Sequence, residues 1–148
     1  MTPSPLQLES SFLLHTEVKA AEKIPAEAAQ TIKTRIRIGR SPENELEWNV
    51  TLGVTFGRNG KIVDAPYHGD VLVEMRFLLH PDYPADKRNN LMQITGASLA
   101  YGMIRETVAN LTARGPHGTY LLPSVSFLET KGKSVKSTAN EFLRKSPE

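Results

Sequence analysis

The residues able to do chemistry are few and poorly grouped. Four histidines, His15, His68, His80 and His117, are spread along 148 residues, and there is no cysteine. A zinc site wants about four converging nitrogen or sulfur ligands, and these histidines share no ligand spacing. His80-x-Asp82, in a proline-rich stretch, is the nearest approach to a ligand pair. Tyr67-His68-Gly69-Asp70 sets a base and an acid two residues apart, the raw material of general acid–base catalysis. Arg105 and Glu106 are adjacent, so on a helix they point about 100° apart and cannot face one another. The sequence holds no glycine-rich phosphate cradle, nucleophile elbow or nucleotide fingerprint. No metal and no cofactor is expected.

The elements around these residues argue against an enzyme. The His68-Gly69 pair beside an acid resembles the loop of hot-dog-fold thioesterases, in which a helix follows the turn. Here an alternating strand follows, so 67–70 reads as a loop with a tight turn before that strand. A hot-dog-like hydrolase centred on His68 and Asp70 is kept only as an alternative. Composition is that of an ordinary globular domain, 39% hydrophobic and 23% charged. A net charge of +2 is too small to imply nucleic acid or a membrane surface, although the last twenty residues are locally basic. No apolar run approaches the ~20 residues that span a bilayer. The opening MTPSPLQLESS has neither the basic nor the apolar segment of a signal peptide, so a cytoplasmic location is expected.

Residues 1–5 read as a loose lead-in to one domain filling the chain. From Leu6 the even positions Leu8, Phe12, Leu14, Thr16 and Val18 are mostly apolar and the odd positions mostly polar, predicting a long half-buried strand. Ile32, Thr34, Ile36 and Ile38 alternate with Lys33, Arg35 and Arg37 in a second strand. Leu46, Trp48, Val50, Leu52, Val54 and Phe56 alternate without a miss in a third. Gly57-Arg58-Asn59-Gly60 is a hairpin signal, and Ile62-Val63 reads as an extension of a flanking strand. A fourth strand over 71–78 has apolar side chains on both faces, with Leu72 and Leu78 opposite Val71, Val73, Met75 and Phe77.

Helical spacing takes over at Ser98, a candidate N-cap. Ala100, Met103, Ile104, Thr107, Val108 and Leu111 form one stripe over 98–114. Gly115 is placed for a left-handed C′ residue and Pro116 stops the helix. A connection over 116–123 carries Tyr120, Leu121 and Leu122. After a loose stretch near 129–134, Val135, Ala139, Phe142 and Leu143 sketch a short second helix. Strands first and helices after predict an α+β fold with a four-stranded antiparallel sheet. That sheet has more apolar surface than two short helices can cover, and such patches mark partner surfaces.

Arg105-Glu106-x-Val108-x-x-Leu111-x-x-Arg114-Gly115, followed by Leu122, Val125 and Phe127, resembles the signature of SecB, the bacterial chaperone that keeps exported proteins unfolded. The order of elements is also similar. The resemblance implies an ATP-independent holdase for unfolded or extended polypeptides. It implies a homotetramer of two dimers, with long helices at the dimer–dimer interface, here Met103, Ile104, Val108 and Leu111. Clients would lie in apolar grooves between the sheet and the crossover and outer helix, here Leu72, Leu78, Tyr120, Leu121 and Leu122. Leu72-x-Glu74 resembles the Leu-x-Glu pair with which SecB contacts SecA, the export motor. His15 and Lys19 stand where export-type members carry acids, so SecA binding is expected to be weak or absent. A SecB-like partner of a dedicated client, such as an antitoxin, is the other alternative.

Overall fold

The computed structural model describes residues 1–26 and 29–128. The expected second helix at 135–143 lies outside them. Six strands are present among the described residues: β1 (Leu6–Ala20), β2 (Ile32–Arg40), β3 (Glu47–Phe56), β4 (Arg58–Asn59), β5 (Ile62–Val63) and β6 (Tyr67–Leu79). The long four form one antiparallel sheet in the order β1-β6-β3-β2, so β1 and β2 are its edges.

Alternation works best in the middle of the sheet. Trp48, Val50, Leu52, Val54 and Phe56 of β3 lie at most 8% exposed, and Val71, Val73, Met75, Phe77 and Leu79 of β6 bury the same face. The intervening Asn49, Thr51 and Thr55 are half-buried on the other face. Alternation fails in β1, where register slips between Leu8 and Ser10 and again between Leu13 and His15. Each bulge hands the next residues to the opposite face. Ser11 and Leu13 therefore face the core side opposite Met75 and Val73, while Phe12 faces outward opposite Glu74.

The stretch 67–70 is strand, not loop. Gly69 pairs with Val18 on one side and Phe56 on the other, and a Cβ there would lie 1.8 Å from the Glu17 carbonyl oxygen. The glycine marks a close approach of β1 rather than a turn. Instead of extending a flanking strand, Ile62-Val63 pairs with Arg58-Asn59 in a ribbon of its own, turning at left-handed Gly60 (φ 62°).

The helix starts earlier than Ser98. A 3-10 turn (Ala85–Lys87) leads into α1 (Arg88–Leu91), a π-type turn (Met92–Gly96) and α2 (Ala97–Thr112). Ser98 is inside the helix, its hydroxyl donating to the Ile94 carbonyl at 2.6 Å. Met92 and Ala97 are both fully buried, and their spacing of five fits the wider π turn but no α period. Arg88 braces the start, its buried guanidinium donating to the carbonyls of Tyr83 and Pro81.

Helix α2 lies on the face formed by β3 and β6 and turns Ala97, Ala100, Tyr101, Ile104, Val108 and Thr112 toward it. Burying Ile104 and Val108 is worth ~1.5–3 kcal/mol each. At its end Gly115 does not take the left-handed conformation; Gly118 does (φ 77°). Gly115 is required for another reason. A Cβ there would sit 2.3 Å from the Tyr67 hydroxyl, which accepts the His117 N–H at 3.0 Å. From Gly118 the chain returns along α2, tied by Tyr120 N–H to Thr112 Oγ1 (2.8 Å), Arg105 Nε to the Leu122 carbonyl (3.0 Å) and Tyr101 Oη to the Pro123 carbonyl (2.6 Å).

Candidate polypeptide-binding surfaces

The sheet has one face under the helix and one open face. On the open face Asn49 donates to Glu74 at 3.0 Å, and Arg35 spans Gly53 to reach Asp70 at 2.9 Å and Thr55 at 2.7 Å. Gly53 makes this possible, since a Cβ there would lie 2.5 Å from the guanidinium. Phe12 lies under the Arg76 guanidinium, 5.1 Å from the ring centre. Leu72 is half-buried and Leu78 is 41% exposed on this same face. His15 is directly opposite Leu72 and Lys19 opposite His68; Lys19 pairs with Glu17 at 3.0 Å and holds that carboxyl below its ordinary range.

The connection after α2 has a different character. Tyr120 and Leu122 are 7% and 1% exposed, whereas Leu121 is 64% exposed. Tyr120 stacks between Phe56 and Tyr67, with ring centres 6.1 and 6.0 Å away. Burial, and then Asp64, pushes its phenol up to about 12, and its hydroxyl lacks a hydrogen-bond partner among the described residues. Burial raises the Tyr101 phenol further still. The five residues expected to hold clients are therefore not brought together. Leu72 and Leu78 are on the open face, Tyr120 and Leu122 are in the core, and Leu121 alone projects from the crossover.

The four helix positions also separate. Ile104 and Val108 are fully buried in the chain's own core, Met103 is half-buried, and Leu111 is 54% exposed. Tyr101 and Arg105 hold the crossover on one flank of α2; Met103, Thr107 and Leu111 are on the other. Leu8 and Leu13 at the β1 edge, 50% and 47% exposed on the core side, add apolar surface that alternation could not reveal. The Ser10-Ser11 pair interrupting the apolar pattern is the one sequence sign of a bulge there.

The candidate chemical groups are held by local partners. His68 Nδ1 is 3.3 Å from Arg58, and burial, then Arg58 and Lys19, pushes its pKa down. The hollow beside it holds about 90 Å³ and is lined by Glu17, Thr55, Arg58, His68 and Asp70 among others. His80 accepts the Asp82 N–H at 3.1 Å within an exposed turn. Among the described residues no three His, Cys, Asp or Glu side chains gather as a metal site. No described helix is long and apolar enough to cross a membrane.

A four-stranded antiparallel sheet with one long helix across it matches the SecB-like fold, here in divergent form. The Mycobacterium tuberculosis Rv1957 SecB-like chaperone, solved in complex with a ChAD peptide from the Rv1956 HigA1 antitoxin, has this architecture. It superposes with a TM-score of 0.61 over 82% of this chain and 91% of that one, at 18% identity. A Streptococcus agalactiae protein of unknown function aligns over 80% of this chain and 96% of its own, with a TM-score of 0.45 and 9% identity. No family model matches the sequence, and no curated protein does.

Proposed function

We propose that this protein is a holdase-type chaperone that binds unfolded or extended polypeptide without ATP and without chemistry. The observation that carries the proposal is the apolar side chains left in the open around the sheet and crossover. Leu121 and Leu128, each 64% exposed, stand on the return segment, and Leu78, 41% exposed, on the open face of the sheet. Contacts of this kind capture extended chain by area, at ~25 cal/mol per Å², and open strand edges add backbone pairing. The likeness to a SecB-like chaperone supports polypeptide as the ligand.

The same surfaces divide into two roles. Met103 and Leu111 on the free flank of α2, with Leu8 and Leu13, serve assembly into a tetramer, while Leu121, Leu72 and Leu78 serve clients. Leu72 and Glu74 share their face with His15 and Lys19, the two positions where export-type members carry acids, with Glu17 between them and paired to Lys19; this favours weak or absent SecA binding and a cytoplasmic role outside export. A dedicated client, such as an antitoxin segment, is the second reading, favoured by the peptide bound to the Rv1957 relative.

The test is suppression of aggregation of a chemically unfolded client at equimolar chaperone, followed by light scattering, without nucleotide. Delayed aggregation that persists in His68→Ala is expected. Failure of the unmodified protein to delay aggregation of any general client, with tight binding to a single segment, would replace the general holdase by the dedicated one. Hydrolysis of an acyl thioester that disappears in His68→Ala would overturn both.

A further inference from the structure

The ribbon of β4 and β5 holds the one Asn-Gly pair in the sequence, Asn59-Gly60. Asn59 pairs with Ile62 and Arg58 with Val63, and a ribbon of only two pairs is marginal by itself. Gly60 opens the turn in the left-handed conformation, and a Cβ built there would meet no atom within 4 Å. Its N–H lies outside the ladder and bonds to no carbonyl among the described residues. Residues 58–62 are exposed, Ile62 by 70%, and the Asn59 side-chain amide has no partner among the described residues. A free main-chain nitrogen therefore follows a free side-chain amide, both in contact with solvent, with no Cβ to hinder their approach. The other described asparagines lack one or more of these features. Asn44 and Asn89 accept hydrogen bonds at Oδ1 from the Leu46 N–H and from Gln93. Asn49 donates to Glu74 in the middle of the sheet. Asn90 and Asn110 are inside helices and precede leucine.

We propose that Asn59 is a site of spontaneous deamidation, through a cyclic imide formed with Gly60. The Gly60 main-chain nitrogen attacks Asn59 Cγ and gives up its proton. The new N–C bond closes a succinimide ring, and the side-chain amide nitrogen leaves as ammonia. Water then opens the ring. Cleavage between the ring nitrogen and Cγ leaves an ordinary aspartate. Cleavage between that nitrogen and the Asn59 main-chain carbonyl leaves isoaspartate, with the chain routed through Cβ and Cγ. The sum is amide plus water giving carboxylate plus ammonium, with nothing oxidised or reduced. The strand conformation holds Cγ away from the next nitrogen, so the step runs through brief openings of the ribbon, which two pairs oppose weakly. Isoaspartate sets an extra main-chain carbon beside the Asn59–Ile62 pair, and either product takes the formal charge from +2 to +1. This chemistry does not depend on polypeptide binding.

The experiment incubates the full chain in mildly alkaline buffer beside a synthetic peptide of residues 55–65, which supplies the rate with no fold at all. Tandem mass spectrometry should place the change from amide to acid at Asn59 in both. Isoaspartate should be labelled by a protein-isoaspartate methyltransferase with radioactive methyl donor. The folded chain should react within about tenfold of the peptide's rate, and faster at higher pH, because the attacking nitrogen must shed its proton. Gly60→Ala should slow the reaction by about tenfold or more, since each ~1.4 kcal/mol that the new methyl group adds to the barrier is a factor of ten. Should that variant lose the ribbon, Asn59→Ser should abolish the labelling while circular dichroism stays unchanged. An Asn59 still intact in the folded chain when the peptide has fully converted overturns the proposal. So do acid gained equally at Asn89 and Asn110, and labelling that persists in Asn59→Ser.

Discussion

Strands β3 and β1 carry the same sort of alternating apolar sequence within one sheet, and their side chains meet opposite fates. β3 has a strand on each side and a helix over one face, and its Val50, Leu52 and Val54 are fully buried. β1 has one neighbour and two bulges, and its Leu8, Phe12, Leu13 and Leu14 remain 41% to 53% exposed. Residue type does not separate them; position in the sheet does. The middle is spent on stability, and apolar surface available to other chains collects at the rim and on the crossover. That division is what the proposed holdase needs, because exposed grease in the middle would be a folding fault, whereas at an edge it comes with unpaired backbone.

The largest expected effect tests whether core and rim are as distinct as adjacent residues suggest. Tyr120→Ala should lower stability by about 3 kcal/mol or more, as for other buried aromatic truncations, because its ring fills the space between Phe56 and Tyr67. Leu121→Ser should change stability by less than about 0.5 kcal/mol and act on client affinity instead. Tyr120→Phe should be neutral or mildly stabilising, since it deletes a buried hydroxyl that has no hydrogen-bond partner among the described residues. Urea denaturation with client binding measured on the same variants checks all three. Similar stability losses for Tyr120→Ala and Leu121→Ser would erase the distinction.

A second comparison sets the β1 rim against the free flank of α2. Leu8→Glu with Leu13→Glu, and separately Met103→Glu with Leu111→Glu, should each leave the strands folded by circular dichroism and dissociate the assembly. Two apolar side chains withdrawn from an interface cost about 3 kcal/mol together, raising a dissociation constant about a hundredfold. Sedimentation that finds the unmodified protein monomeric would remove the assembly role from both surfaces. Dissociation by one pair only would show which surface holds the copies together.

The same contrast decides what the sequence could reveal. The existence and direction of the four long strands were legible because period two is dictated by the pleat, and in β3 nothing interrupts it. The bulges of β1 were not read, because a bulge is a backbone event and the Ser10-Ser11 pair is its one trace in the residue types. The early helix start was hidden by the π-type turn at Met92–Gly96, which breaks the 3.6 period across Gly96 and lets Ser98 imitate a cap. Gly115 was correctly singled out for the wrong reason, because the Tyr67 ring that crowds it comes from a strand far away in sequence. Of the candidate site, Leu121 and Leu78 lie exposed as a binding surface requires, while Tyr120 and Leu122 do not. A crossover sequence of consecutive apolar residues cannot say which of them points inward.

The smallest effect concerns His68, in β6 beside the β1 edge, and it has a definite sign. Burial lowers its pKa below the ordinary 6.5, with Arg58 and Lys19 lowering it further and Glu17 opposing them. As pH falls, the unfolded chain therefore takes up a proton at this position before the folded chain does. Stability from this group is fully present above about pH 6.5 and is lost on going down toward the folded-state value. Denaturation midpoints of the unmodified protein and His68→Gln, compared at pH 7.5 and 5.5, should show the unmodified protein losing slightly more. Carboxylates and the other histidines act in both proteins and cancel in that difference. Arg58→Gln should move the His68 value only part of the way back, by nuclear magnetic resonance titration, because burial is the larger cause. Complete recovery in Arg58→Gln would mean that the β1 side of the sheet is more open to water around His68 than the middle–edge distinction allows.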